Sequence, residues 1–187
     1  MRIIETTRPC AALAAGTWTI DPAHSYVGFR VKHLGLTDVR GRFLEFGGSL
    51  AVTARGAIHA EGTVTAASVD TGQPQRDDHL RGPEFLDAAN HPQISFRSTM
   101  FEPLGQATFR VIGDLTIHGV TREVSLDAEI SGTEQDLWGQ TRVGLAVSGR
   151  IDRADYGLDY GPLLESGGVL IGRTITLSVD ISAVREG

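Results

Sequence analysis

Cysteine is almost missing from this chain: Cys10 is the single one in 187 residues. One thiol excludes an internal disulfide framework and fits a reducing compartment. Positive charge is also short, with 17 Lys and Arg against 23 Asp and Glu and a net charge of −6. That balance removes the electrostatic case for binding nucleic acid or an anionic membrane surface. No run approaches the roughly 18 apolar residues of a membrane span. The stretch Cys10 to Ala15 is mostly alanine and too short for a secretory core segment. Around it Met1 to Gly16 carries Arg2 and Arg8 and is interrupted by Glu5 and Pro9. Residues 1–16 therefore read as a flexible tail and 17–187 as one domain, in a cytoplasmic protein with no stable membrane insertion. No nucleophile elbow and no cofactor fingerprint is found, so no cofactor is expected.

What the chain has in abundance is period-two alternation, the mark of half-buried antiparallel strands. Val27, Phe29 and Val31 alternate with Tyr26, Arg30 and Lys32, and Ile94 and Phe96 with Ser95 and Arg97. Phe109, Val111, Gly113, Leu115 and Ile117 form one row, Val124, Leu126, Ala128 and Ile130 another. Val143, Leu145, Val147 and Ile151 make a third, and Ile175, Leu177, Val179 and Ile181 close the chain. With Ile58 to Thr65 and a strand over Val39 to Val52, the total is about eight, several longer than the usual five or six residues. Two breaks interrupt the meander: Thr71 to Pro92, with a short helix at Asp77 to Arg81, and Asp155 to Gly168. The expected fold is all-β, an eight-stranded antiparallel up-and-down barrel with a short helical insertion, since closure removes exposed strand edges.

Such a barrel is either filled by its own side chains or holds a ligand. Gly62, Gly113, Ala60, Ala107 and Ala128 interrupt the larger inward aliphatics, which leaves room. A tunnel of roughly 30 Å, the height of strands of this length, suits an extended hydrocarbon chain. Each buried CH₂ contributes about 0.8 kcal/mol, so few polar anchors are needed.

Arg76, Asp77 and His79 lie within four residues of one another, and Asp87 follows. A carboxylate orienting an imidazole beside an arginine suits acid–base chemistry. The same residues serve architecture: Asp77 capping the short helix and Arg76 tying it to a strand or to Asp87. The cluster is read as structural or as a polar gate to the cavity, with no catalytic residue assigned. His24, His33, His59, His79, His91 and His118 show no H-x-H or H-x-x-x-H pair, so no metal site is assigned; folding would have to gather ligands at a barrel mouth. His24 and His118 read as polar contacts at strand ends, and Gly119 with Val120 as a hairpin turn.

Several motifs together resemble the YceI-like family. They are Trp18-Thr-Ile-Asp21-Pro-Ala-His24-Ser25 leading to Phe29 and His33, then Val39-Arg-Gly41-Arg-Phe43, then Ser68-Val-Asp-Thr71. Arg76-Asp77-Asp78-His79-Leu80, Phe85-Leu-Asp87 and His91-Pro92-Gln-Ile94-Ser-Phe96 follow. Gly113-Asp-Leu115-Thr-Ile117-His118-Gly119-Val-Thr121-Arg122 and Arg153-Ala-Asp155-Tyr156-Gly157-Leu158 complete the set. The resemblance spans Trp18 to Val184. It implies a lipocalin-like barrel, a tryptophan (Trp18) closing one barrel end, and binding of a polyisoprenoid or isoprenoid quinone without catalysis. The chain departs from some relatives in lacking a convincing signal peptide, and from many in having Ile171-Gly-Arg173-Thr174 before the last strand in place of an acidic residue.

On this reading Val27, Phe29, Val31, Phe43, Ile94, Phe96, Leu115 and Val147 line a cavity for an isoprenoid lipid, held for sequestration, storage or transport. Tyr156 and Tyr160 lie near an entrance. An enzyme working through Arg76, Asp77 and His79 on a small hydrophobic substrate, and a ligand-free stress-related scaffold, are the alternatives. The partners considered are the isoprenoid lipid and a second copy of the chain in a homodimer.

Overall fold

The computed structural model describes residues 13–187. The expectations that fall on Met1 to Ala12, among them the isolation of Cys10, lie outside the described residues. Eleven strands follow in order: β1 (Gly16–Ile20), β2 (Tyr26–His33), β3 (Thr37–Phe43), β4 (Phe46–Val52), β5 (Ile58–Thr65), β6 (Val69–Asp70), β7 (Gln93–Pro103), β8 (Thr108–Ile117), β9 (Val120–Gln135), β10 (Thr141–Asp152) and β11 (Ile171–Arg185). One short helix, α1 (Pro74–Arg81), stands between β6 and β7. All strand pairs are antiparallel, and β1-β4-β5-β7-β8-β9-β10-β11 returns to β1 to close an eight-stranded barrel.

The alternation in the sequence is what builds these strands. On β8, Phe109, Val111, Gly113, Leu115 and Ile117 are all buried while Arg110 and Asp114 are exposed. On β9, Leu126, Ala128 and Ile130 face inward and Glu123, Ser125, Asp127 and Glu129 face water. The expected single strand over Val39 to Val52 is in fact two. Leu44 and Glu45 leave the sheet, the Leu44 amide donating to the Ser68 carbonyl at 3.1 Å. So β3 pairs with β2 and β6, whereas β4 turns away to pair with β1 and β5. A run of alternating residues carries no sign of this switch of partner, because both halves keep the same period.

Closure depends on β11. Along one edge it pairs with β10 from Asp152↔Thr174 to Arg142↔Val184. Along the other it meets β2 from Ile171 to Asp180, then β1 from Ala183 to Arg185. Thus β1 and β2 lie end to end on one neighbour, separated by a 3-10 turn at Pro22–His24 whose N-terminal amide at Ala23 is capped by the Asp21 carboxylate. Asp21 also accepts from Arg142 Nη1 at 2.7 Å, and Arg142 Nε reaches Asp136 at 2.8 Å. His24 Nδ1 donates to Asp21 at 2.8 Å, consistent with a polar contact at a strand end.

One end of the barrel is packed solid. Trp18 is fully buried there with Leu13, Val52, Ile58, Phe109, Val143 and Ala183, and its indole N–H donates to the Ala14 carbonyl at 3.1 Å. Leu13 is therefore part of the core, and Arg185 bonds the Ala15 carbonyl. Leu13 and Trp18 thus belong to one buried cluster at this end.

Gly113 marks a point of close packing in the barrel wall. A Cβ there would sit 2.5 Å from the Arg97 carbonyl oxygen and 2.6 Å from the Phe96 ring. Gly113→Ala is expected to cost about 1–3 kcal/mol through overpacking, lowering the melting temperature by about 2–4 °C per kcal/mol; calorimetry checks it. The Asp21 carboxyl supplies a pH signature, since hydrogen bonds from Arg142 and then His24 hold its pKa down to about 2. A carboxyl with a lowered folded-state pKa stabilises the fold above its ordinary value and loses that contribution as pH falls through the lowered one. Asp21→Asn is expected to melt a few degrees below the parent at pH 7. The gap should narrow below pH 3.8 and close near 2; a gap independent of pH would refute the ion pair's role.

Candidate functional site

The barrel interior opens, away from the Trp18 plug, into two chambers of about 250 Å³ and 340 Å³. Phe29, Phe43, Ile117 and Leu177 border both and form the neck between them. The Phe29 and Phe43 rings lie 5.7 Å apart, tilted by 44°. Gly41 makes this possible: a Cβ there would come within 2.4 Å of the Phe29 ring.

The inner chamber is walled by Val27, Ile94, Phe96, Leu115 and Val147, with Ala60, Gly62 and Ala128 as the small residues that leave it open. Gly113 is not among its walls; its missing side chain makes room for the Phe96 ring. The outer chamber takes Val31 from β2 and Val39 from β3, together with Phe85 and Leu86 from the segment after α1. The eight apolar residues picked from the alternation thus all face one chamber or both. Ile117, Leu177, Tyr160 and Arg153 are among the further wall residues. The first two belong to apolar rows already visible in the sequence, but nothing in those rows distinguishes neck from core.

Cationic and imidazole side chains border the outer chamber only: Lys32, His33, Arg76, His79 and Arg153. Arg153 has the most unusual setting. It is 7% exposed, and its guanidinium donates to the carbonyls of Gly172 at 3.0 Å, Ile171 at 3.3 Å and Leu158. No carboxylate touches it among the described residues. Burial pulls its pKa below the ordinary guanidinium value, with Asp159 and Asp152 opposing from a distance; the group stays charged regardless. The sequence shows this residue only as the first position of an Arg-x-Asp-Tyr-Gly motif.

The charged cluster of α1 does not assemble as a catalytic constellation. Asp77 is buried and does not cap its helix; that role falls to Gln73, whose side chain accepts from the Arg76 amide. Asp77 turns back to Thr71, accepting from its amide at 2.9 Å and its hydroxyl at 2.5 Å. Arg76 bonds the same threonine, Nε to Oγ1 at 2.7 Å and Nη2 to the carbonyl at 3.0 Å, and does not reach Asp87. The link from helix to strand comes from Arg81, which donates to Ala67 and Val69 carbonyls at 2.7 and 2.9 Å. His79 points elsewhere, donating to Glu84 at 2.6 Å and packing edge-on against Phe85 and Tyr160. Asp87 accepts from Asn90 Nδ2. Arg76 and His79 border the outer chamber while Asp77 holds the helix start, so structure and rim divide between neighbours. Tyr160 stands at this rim, whereas Tyr156, expected beside it, is fully buried with its hydroxyl unpartnered.

Thr71 joins Asp77 and Arg76 through one hydroxyl, so Thr71→Val leaves a buried carboxylate short of a donor. The expected cost is about 1–3 kcal/mol, seen as faster amide exchange over residues 74–81 with little change in the barrel strands.

The comparisons with known proteins agree with this architecture. A family model described as the YceI-like domain matches residues 18–183. A UPF0312 protein of Pectobacterium atrosepticum is 38% identical over 143 residues, 74% of this chain and 74% of that protein. Among solved structures, BcnA of Burkholderia cenocepacia superposes with a TM-score of 0.76 at 22% identity, covering 87% of this chain and 98% of that one. A polyisoprenoid binding domain from Saccharophagus degradans, implicated in plant cell wall breakdown, gives 0.70 at 16% identity, covering 90% and 98%. At those identities the two structures speak for the barrel alone. The motifs from Trp18 to Val184, the closed eight-stranded barrel and the family match coincide, and the chain belongs to the YceI-like family.

Proposed function

We propose that this protein is a carrier that holds one long isoprenoid lipid, a polyprenyl chain or the tail of an isoprenoid quinone, inside the barrel without turning it over. The observation that carries the reading is the pair of adjoining apolar chambers whose cationic and imidazole side chains gather at one end. An amphiphile fits that polarity: its tail passes the Phe29–Phe43 neck into the inner chamber and its head stays in the outer one. The buried Arg153 guanidinium, bonded only to carbonyls, favours a head group that accepts hydrogen bonds, a phosphate or a quinone carbonyl, which would offset its charge or its spare donor capacity. The Saccharophagus degradans neighbour, a polyisoprenoid binding domain, supports the same ligand class.

Retention follows from burial. Each methylene taken from water contributes about 0.8 kcal/mol, so a tail of several isoprene units needs no specific polar anchor to stay bound. Entry passes by α1 and the segment to Pro92, which bound the outer chamber, and the carrier then serves sequestration, storage or transport.

Organic extraction of the natively purified protein, followed by mass spectrometry, is expected to recover about one prenyl lipid per chain. Phe96→Ala widens the inner chamber and is expected to lower that yield more than it lowers the melting temperature. No extractable lipid, together with no uptake of added polyprenol or ubiquinone, would refute the reading. Equal losses of yield and stability in the variant would make Phe96 an ordinary core residue.

A further inference from the structure

The six histidines are scattered in the sequence, but folding brings two of them and one carboxylate to a single point. Asp87 and His91 belong to the segment after α1, and His118 to the turn between β8 and β9. One ligand-type atom from each lies within 4.8 Å of the other two. The His91 and His118 rings pack with centroids 4.6 Å apart. All three residues are half-buried, and neither imidazole has a hydrogen-bond partner among the described residues. Two imidazoles with free nitrogens beside a carboxylate form a donor set with nothing else to bind.

We propose that Asp87, His91 and His118 bind a divalent transition-metal ion such as zinc. Two imidazole nitrogens and a carboxylate oxygen are the ligands of many zinc sites, with the fourth tetrahedral position left to water. Zn–N and Zn–O bonds of about 2.0–2.2 Å require the three donors to draw closer than they stand, which half-exposed side chains achieve by rotation. Hard cations such as Mg²⁺ and Ca²⁺ prefer all-oxygen sites and are disfavoured by two imidazoles. The outer support is in place: Asn90 Nδ2 donates to both Asp87 oxygens, at 3.1 and 3.0 Å, leaving further lone pairs on the carboxylate for the ion.

The backbone is arranged for the same convergence. His118 and Gly119 form a two-residue hairpin turn with φ of +52° and +74°, positions where Asn-Gly is the usual choice. A histidine at the first position carries a conformational cost that the turn alone does not require. Asp87 also has positive φ, +43°. A Cβ at residue 119 would lie 2.8 Å from the His91 ring, so glycine there serves both the turn and the seating of His91 over it. The expected hairpin residues Gly119 and Val120 are displaced by one position, to His118 and Gly119.

The site has a structural consequence that needs no lipid. Leu86 and Ile117, the neighbours of Asp87 and His118, both wall the outer chamber. A bound ion would clip the segment after α1 to the β8–β9 turn and hold that wall shut.

The test uses the full chain with Cys10→Ser, which removes the thiol as a competing ligand, stripped with chelator and titrated with Zn²⁺ by calorimetry. Co²⁺ reports the geometry through its visible absorption. The expected result is saturation at one equivalent, with slower amide exchange over residues 82–92 once Zn²⁺ is bound. His118→Asn keeps a residue well suited to the turn, and so folds, but should weaken binding by more than the roughly 10–100-fold loss typical of an outer-shell partner. His91→Gln should do the same, Asn90→Ala should fall within that range, and His59→Gln on the exposed face of β5 should match the parent. Absence of saturable binding overturns the proposal, as does binding of unchanged affinity in both His118→Asn and His91→Gln.

Discussion

The barrel hangs on the two edges of β11. One edge is taken from Thr174 to Val184 by β10, and the other is shared by β2 and β1 in succession. Only because β1 reaches Ala183 to Arg185 at one end and β4 on its other side does the ring close. The Pro22–His24 turn sets where β1 hands over to β2, and the Asp21–Arg142 pair ties that turn to β10. A sheet with unpaired edges would expose backbone donors and acceptors to other chains; closure satisfies them internally.

From that closure comes the contrast between the two ends. Around Trp18 the strands are bound on every side and their inward residues meet, so the end fills. At the other end β2 carries β3 and β6 away from β4, and the space between is bounded by α1 and the residues after it. A helix of eight residues cannot fill such a space as facing strands would. It is held by side chains instead: Asp77 and Arg76 on Thr71, Arg81 on Ala67 and Val69. The chain's densest charge is therefore spent on positioning the cover of an apolar chamber. That explains why the cluster is so polar beside a cavity so apolar, and why its members point in different directions.

A cavity left open in a protein interior forgoes dispersion contacts that packed side chains would make. The chain accepts this at Ala60, Gly62 and Ala128, where larger residues of the same row would have filled the inner chamber. A core selected for stability alone would fill it, and an apolar ligand would supply the missing contacts. Arg153 belongs to the same argument from the polar side, since a buried guanidinium bonded only to carbonyls is costly unless something further uses its charge.

The alternation determined that the chain is all-β, which residues of each strand face inward, and that the inward set is apolar with small gaps; period two in the sequence is period two in the pleat. The motifs from Trp18 to Arg153 determined the family, because their order and spacing are properties of the linear chain. What the sequence left undecided was every question of partner. Val39 to Val52 reads as one strand but splits at Leu44, since a change of neighbour leaves the period untouched. Asp77 reads as a cap but serves Thr71, and Arg76 reads as a tie to Asp87 but serves the same threonine, since hydrogen bonds depend on direction as well as on distance along the chain. The neck at Phe29 and Phe43, the burial of Arg153 and Tyr156, and the meeting of Asp87 and His91 with His118 were settled only by the closed barrel. It joins residues dozens of positions apart, and no local pattern records which turn will face which loop.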